Sequence, residues 1–101
     1  MQKTTYHLTV NIQTPKGMLE TGTFFLGADR QFAETIFDNM AGSKDLAKYP
    51  SIRLDLLAST GDLLPVCLKR MGCNLEQYAG NCKMLTRELF RHFMFEGEMT
   101  L

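Results

Sequence analysis

Three cysteines, Cys67, Cys73 and Cys82, and two histidines, His7 and His92, are the side chains of this chain best suited to nucleophilic, redox or metal chemistry. Metal sites built from ligands close in sequence pair them about two to four residues apart. Here the cysteines are separated by six and nine positions, so neither a metal nor a cofactor is expected. Cys82 falls in the middle of an apolar helical stripe, where a small buried thiol is the ordinary reading. Cys73 is read as a core thiol as well, with a redox or nucleophilic role as its alternative, because it precedes the start of a predicted helix whose free N–H groups could lower its pKa.

A second group is His7 with Arg53 and Asp55, all on the polar sides of alternating strands. In hydrogen-bond contact, a His–Asp pair forms an acid–base couple, and with Arg53 it would line a small-ligand or catalytic pocket. Apart, the three are solvated residues on an exposed sheet face. Neither GxGxxG nor GxxxxGK[ST] occurs, and nothing resembles a nucleophile elbow, HExxH or an EF-hand loop. No catalytic residue is assigned, and the reading leans away from an enzyme.

The third group is basic. Lys83, Arg87 and Arg91 recur at i, i+4 and i+8, with Lys69 and Arg70 at the end of the preceding strand. Such a stripe would hold nucleic-acid phosphates, another anionic ligand or an acidic protein through a few salt-sensitive contacts, although the helix dipole favours cations there whatever the function. Met84 and Met94 lie beside it, and flexible thioethers suit adaptable contacts. Lys83, Met84, Arg87, Arg91 and Met94 therefore form the candidate interaction surface.

These residues need a scaffold, and 101 residues suffice for a single domain, 1–101. Hydrophobic residues at 45% and charged residues at 22% describe neither a disordered chain nor a membrane protein. Cations and anions balance at 11 each, so no global field pulls the chain toward nucleic acid or an anionic membrane. Three scattered cysteines argue against a disulfide framework. No apolar segment follows Lys3, and no run approaches the roughly 20 apolar residues of a membrane span. A cytoplasmic protein is the expectation.

Along the chain, Thr4–Thr14 alternates Tyr6, Leu8, Val10 and Ile12 against His7, Thr9, Asn11 and Gln13, a strand with one wet face. Pro15-Lys16-Gly17 turns it into a second strand, Met18–Leu26. Asp29 caps a helix reaching about Ala41, with Phe32, Ala33, Ile36, Phe37 and Met40 apolar and Gly42 as its stop. After a connection with a short turn at Lys44–Leu46, a strand at Ser51–Ser59 and a hairpin loop at Ser59–Asp62 lead to a strand at Leu63–Met71, with Leu64, Val66 and Leu68 inward. Pro65 makes the last an edge or interrupted strand.

Asn74 and Gln77 have capping-box spacing for the final helix, which runs to Phe95. Its expected buried stripe is Leu75, Tyr78, Ala79, Cys82, Leu85, Thr86, Leu89, Phe90 and Phe93. Gly97 is the expected stop, and 97–101 a loose tail.

The order ββαββα predicts an α+β two-layer sandwich: a four-stranded antiparallel sheet in the order 2-1-3-4 with both helices on one face. Segments 4–42 and 51–96 read as a possible ββα pseudo-repeat. Since no motif names a reaction, the expected function is a small non-enzymatic interaction module. It would bind a protein partner or itself through sheet edges or the outer helix surface. The alternatives are nucleic-acid or anionic-ligand binding through Lys83, Arg87 and Arg91, and a small-ligand or catalytic module around His7, Arg53, Asp55 or Cys73.

Overall fold

The computed structural model describes residues 2–95; the expected Gly97 stop and the tail at 97–101 lie outside the described residues. Strands β1 (Thr4–Thr14), β2 (Gly17–Gly27), β3 (Ile52–Thr60) and β4 (Val66–Cys73) form one antiparallel sheet in the order β2-β1-β3-β4. Helices α1 (Arg30–Asp38) and α2 (Leu75–Phe95) complete the two-layer α+β sandwich. Among the described residues, no helix is long and apolar enough to cross a membrane.

Alternation places Tyr6, Leu8 and Val10 of β1 beside Ala58, Leu56 and Leu54 of β3, with Ile52 next in the same row. Ala33, Ile36 and Phe37 of α1 close over this row. Among the described apolar residues less than 2% exposed, Leu8, Val10, Leu26, Leu54, Leu56 and Cys73 come from strands, Ala33 comes from α1, and only Leu85 comes from α2. The core is therefore chiefly a sheet surface roofed by α1.

Asp29 caps α1 as expected, its carboxylate accepting the Phe32 N–H at 3.2 Å. The helix ends at Asp38 with Asn39 as C-cap, three residues short of the expected Ala41. Gly42 is not its stop. A Cβ there would lie 2.7 Å from the Gly72 carbonyl and 2.8 Å from Met71 Sδ, so Gly42 permits the chain to cross β4 closely. In the connection that follows, the turn falls on residues 46–48 rather than at Lys44–Leu46.

The start of β4 also departs from expectation. Leu63–Pro65 is outside the strand, and Leu64 and Val66 are 88% and 59% exposed rather than inward. Val66 still lies opposite Ala58 on the helix side, and the phase changes only after it, at a bulge: Leu57 pairs with Cys67 but Leu56 pairs with Lys69, leaving Leu68 extra. Beyond it Lys69, Met71 and Cys73 share the helix side and Arg70 faces away. Lys69 Nζ accordingly meets Asp38 of α1 at 2.8 Å.

Candidate functional site

α2 begins at the expected capping box. The Gln77 N–H donates to Asn74 Oδ1 at 2.7 Å, and the Asn74 N–H donates to Gln77 Oε1 at 3.0 Å. Its rotation about its own axis is unexpected. The buried residues are Asn81, Leu85 and His92, whereas Leu75 and Phe90 are 73% and 58% exposed, and Ala79 and Thr86 are exposed as well. At about 100° per residue this turns the helix by roughly 80° from the orientation its apolar stripe predicts.

Two contacts with α1 account for the turn. Past the end of α1, the Ala41 N–H donates to Asn81 Oδ1 and Asn81 Nδ2 donates to the Ala41 carbonyl, both at 2.8 Å. Backbone groups beyond a helix end need partners, and one amide side chain supplies both. At the opposite end of the helix pair, the His92 ring stacks on Phe32 with centroids 3.8 Å apart and planes within 5°. Asn81 and His92 are eleven residues apart, so both point the same way and hold α2 against α1.

The solvent side of α2 consequently carries two parallel stripes. One is apolar: Leu75, Ala79, Thr86 and Phe90. Thr86 Oγ1 donates back to the Cys82 carbonyl at 2.8 Å, so its methyl adds to the apolar character. Beside it runs the basic stripe of Lys83, Arg87 and Arg91, exposed as its spacing implied. Arg87 and Arg91 approach Glu88 at 3.6 and 3.9 Å, which partly offsets their charge. Met94 is exposed, but Met84 packs on the core and lines a groove of about 470 Å3 with Phe32 and Ile36. Lys69 and Arg70 do not extend the stripe, since the first pairs with Asp38 and the second lies on the opposite face of the sheet.

Both sheet edges are irregular. On β2, Leu26 and Thr21 are unpaired extras at two register shifts. β4 has its own bulge, preceded by Pro65. Bulges twist an edge away from a would-be partner strand.

On the face away from the helices, Thr9, Asn11 and Asp55 are buried rather than solvated. Asp55 Oδ1 receives a hydrogen bond from Arg70 Nε at 2.9 Å, while Arg53 Nε lies 3.2 Å from the same oxygen. The long side chains of Arg53 and Arg70 thus converge over the strands. The hydrogen bond and charge of Asp55 hold the Arg70 guanidinium above its ordinary pKa. His7 is not drawn in. It sits opposite Leu57 and Phe25, and no hydrogen bond joins it to Asp55 among the described residues. Arg70 is the residue sequence reasoning misplaced, because the β4 bulge that sends it to this face leaves no signal in the local alternation.

The thiols do not form a site. Cys67 is exposed, Cys82 half-buried and Cys73 buried, and no three His, Cys, Asp or Glu side chains gather to hold a metal among the described residues. Cys73 is a core thiol, as the main reading had it, and the alternative of a lowered pKa is corrected: burial, followed by the charge of Cys82, pushes it up to about 11. Its side chain lies in the core beside Ile52, away from solvent, where a low-dielectric surrounding disfavours the thiolate. The Tyr78 hydroxyl is pushed up to about 12, chiefly by its hydrogen bond with Cys82 and then by burial.

Compared with family models, curated proteins and solved structures, the chain finds no match in any of the three.

Proposed function

We propose that the chain is an interaction module whose working surface is the outer side of α2, and that its partner is a second copy of itself. The observation that carries this reading is the turned helix, which leaves Leu75, Ala79, Thr86 and Phe90 in water. The irregular edges of β2 and β4 favour the helix over strand pairing.

Charge and size point to a second copy. Glu76 is in the first turn of α2, and Arg87 and Arg91 are in its second half. An antiparallel pair of α2 helices places Glu76 of each copy near Arg87 and Arg91 of the other, whereas a parallel pair places like charges together. Centred between Cys82 and Lys83, the same pair sets Leu75 against Phe90 of the second copy and Ala79 against Thr86. Small residues then meet where the axes are closest, with large ones at the ends. The Lys83 ammonium extends from this seam to water on its aliphatic arm.

A contact confined to one helix is small, so a reversible dimer is expected, with dissociation in the range of about 10–100 µM. Sedimentation velocity across a dilution series tests it. Phe90→Glu should give a monomer at every concentration. Glu76→Arg should weaken association, and Glu76→Arg with Arg87→Glu and Arg91→Glu should restore it. A strict monomer at millimolar concentration, or a dimer indifferent to Phe90→Glu, would defeat the reading.

A further inference from the structure

The face of the sheet opposite α2 ends in a pocket of about 190 Å3 lined by Gln13, Met18, Leu46, Tyr49, Pro50 and Arg53. Its walls are held by backbone. The Gln13 N–H donates to the Ser51 carbonyl at 2.8 Å, tying the end of β1 to the loop beside it. The Tyr49 carbonyl lies so close over Gly72 that a Cβ there would approach it to 2.5 Å. Asp45 holds the turn bearing Leu46: its carboxylate accepts the Ala47 N–H and its carbonyl the Lys48 N–H, each at 3.1 Å.

Arg53 is the charged group of this pocket, and its charge is incompletely matched. One carboxylate, Asp55, with its side chain only 8% exposed, serves two guanidinium groups. Arg70 takes the hydrogen bond to Oδ1. The buried Arg53 Nε makes none, and among the described residues its side chain donates to no acceptor. The trio carries a net positive charge, with donors of Arg53 to spare. Lys48, 5.6 Å above the Tyr49 ring, adds positive charge beside the pocket. Glu20, opposite Asn11 on β2, is two strands from Arg53.

We infer that this pocket binds a small organic carboxylate, its apolar body against Met18, Leu46, Tyr49 and Pro50 and its charge on Arg53. A planar guanidinium matches a carboxylate in two parallel hydrogen bonds, and Gln13 offers an amide beside it. A phosphate dianion calls for more cationic donors than one guanidinium supplies. The volume is below the roughly 300–1,000 Å3 of sites for drug-sized ligands, so the ligand is the size of a single ring or short chain. The site lies across the sheet from the proposed dimer surface, and either can fail without the other.

The test is an NMR titration of the 15N-labelled chain with three probes: benzoate, phenyl phosphate and benzyl alcohol. Benzoate should give saturable shifts at the Gln13 and Tyr49 amides and the Arg53 Nε–H, with benzyl alcohol at least tenfold weaker and phenyl phosphate no tighter than benzoate. Arg53→Lys, which keeps the charge and loses the fork, should weaken benzoate about tenfold. Arg70→Gln, outside the pocket, should weaken it several-fold because Asp55 then neutralises Arg53 alone. Amide dispersion of α1 and α2 reports that each variant is folded. Three results would overturn the inference: no saturable benzoate shift, equal binding of benzyl alcohol, or unchanged benzoate affinity in Arg53→Lys. Tighter binding of phenyl phosphate would overturn the assignment to a carboxylate.

Discussion

The two helices roof the same sheet, yet they obey their sequences differently. In α1, nine residues long, Ala33, Ile36 and Phe37 are buried as their spacing predicts. In α2, twenty-one residues long, the buried residues are Asn81, Leu85 and His92, and a row of apolar side chains faces water. A helix whose neighbour is a sheet turns its apolar side to it, because area removed from water dominates the energy. A helix that must also serve another helix is turned by whichever contacts are most costly to leave unmade. For α2 these include the two hydrogen bonds by which the buried Asn81 amide is satisfied at Ala41.

Truncating one phenylalanine in each helix should have very unequal effects. Phe37, 4% exposed, should cost about 3–5 kcal/mol on change to alanine. Phe90, 58% exposed, should change the stability of the monomer by no more than about 0.5 kcal/mol. Urea denaturation at a concentration too dilute for association measures both. Comparable losses would mean that α2 is not turned as described.

The next largest effect is at the clamp. Asn81→Ala removes both hydrogen bonds to Ala41 and should cost about 1–3 kcal/mol. Hydrogen exchange should speed up at the Ala41 amide and along the first half of α2 while the middle of α1 keeps its protection. Uniform loss across both helices would show that Asn81 adds stability without setting orientation.

The corners entering the helices sharpen the contrast at smaller scale. Cys73, before α2, is fully buried, with its pKa pushed from 9.0 up to about 11. The folded state therefore holds this proton more tightly than the unfolded chain does. The contribution is complete below about pH 9 and is lost as pH rises through 11, a fall of about 2–3 kcal/mol. Cys73→Ala should flatten that stretch of the stability profile in pH-dependent denaturation. An identical slope in wild type and variant would place the titration elsewhere, Tyr78 being the next group with a shift of the same sign.

Much of the architecture was legible in the sequence because its signals are local. Alternation in β1 and β3, the Asp29 cap, the Asn74–Gln77 box and the order ββαββα led to the observed sheet order. Gly42 misled because a glycine after an apolar helix reads as a stop, whereas here it makes room for the Gly72 carbonyl. Leu64 misled because the strand begins only at Val66, and Val66 because, although it lies opposite Ala58 on the helix side, it is 59% exposed there; the extra residue in β4 changes the phase only from Lys69 onward. Of the candidate surface, Lys83, Arg87, Arg91 and Met94 are on the exterior as expected, and Met84 is not. The Arg53–Asp55–Arg70 cluster was half legible. Arg53 and Asp55 share a strand face by simple alternation, but Arg70 reaches them only through the bulge.

By itself, then, the sequence determined which residues share a strand face, which share a side of a helix, and where most elements begin. The tertiary structure decided which arc of α2 looks inward and which strand's arginine meets Asp55. Periodicity is a property of neighbours along the chain. The direction in which a face points is set by partners far away, forty residues away between Asn81 and Ala41 and fifteen between Arg70 and Asp55.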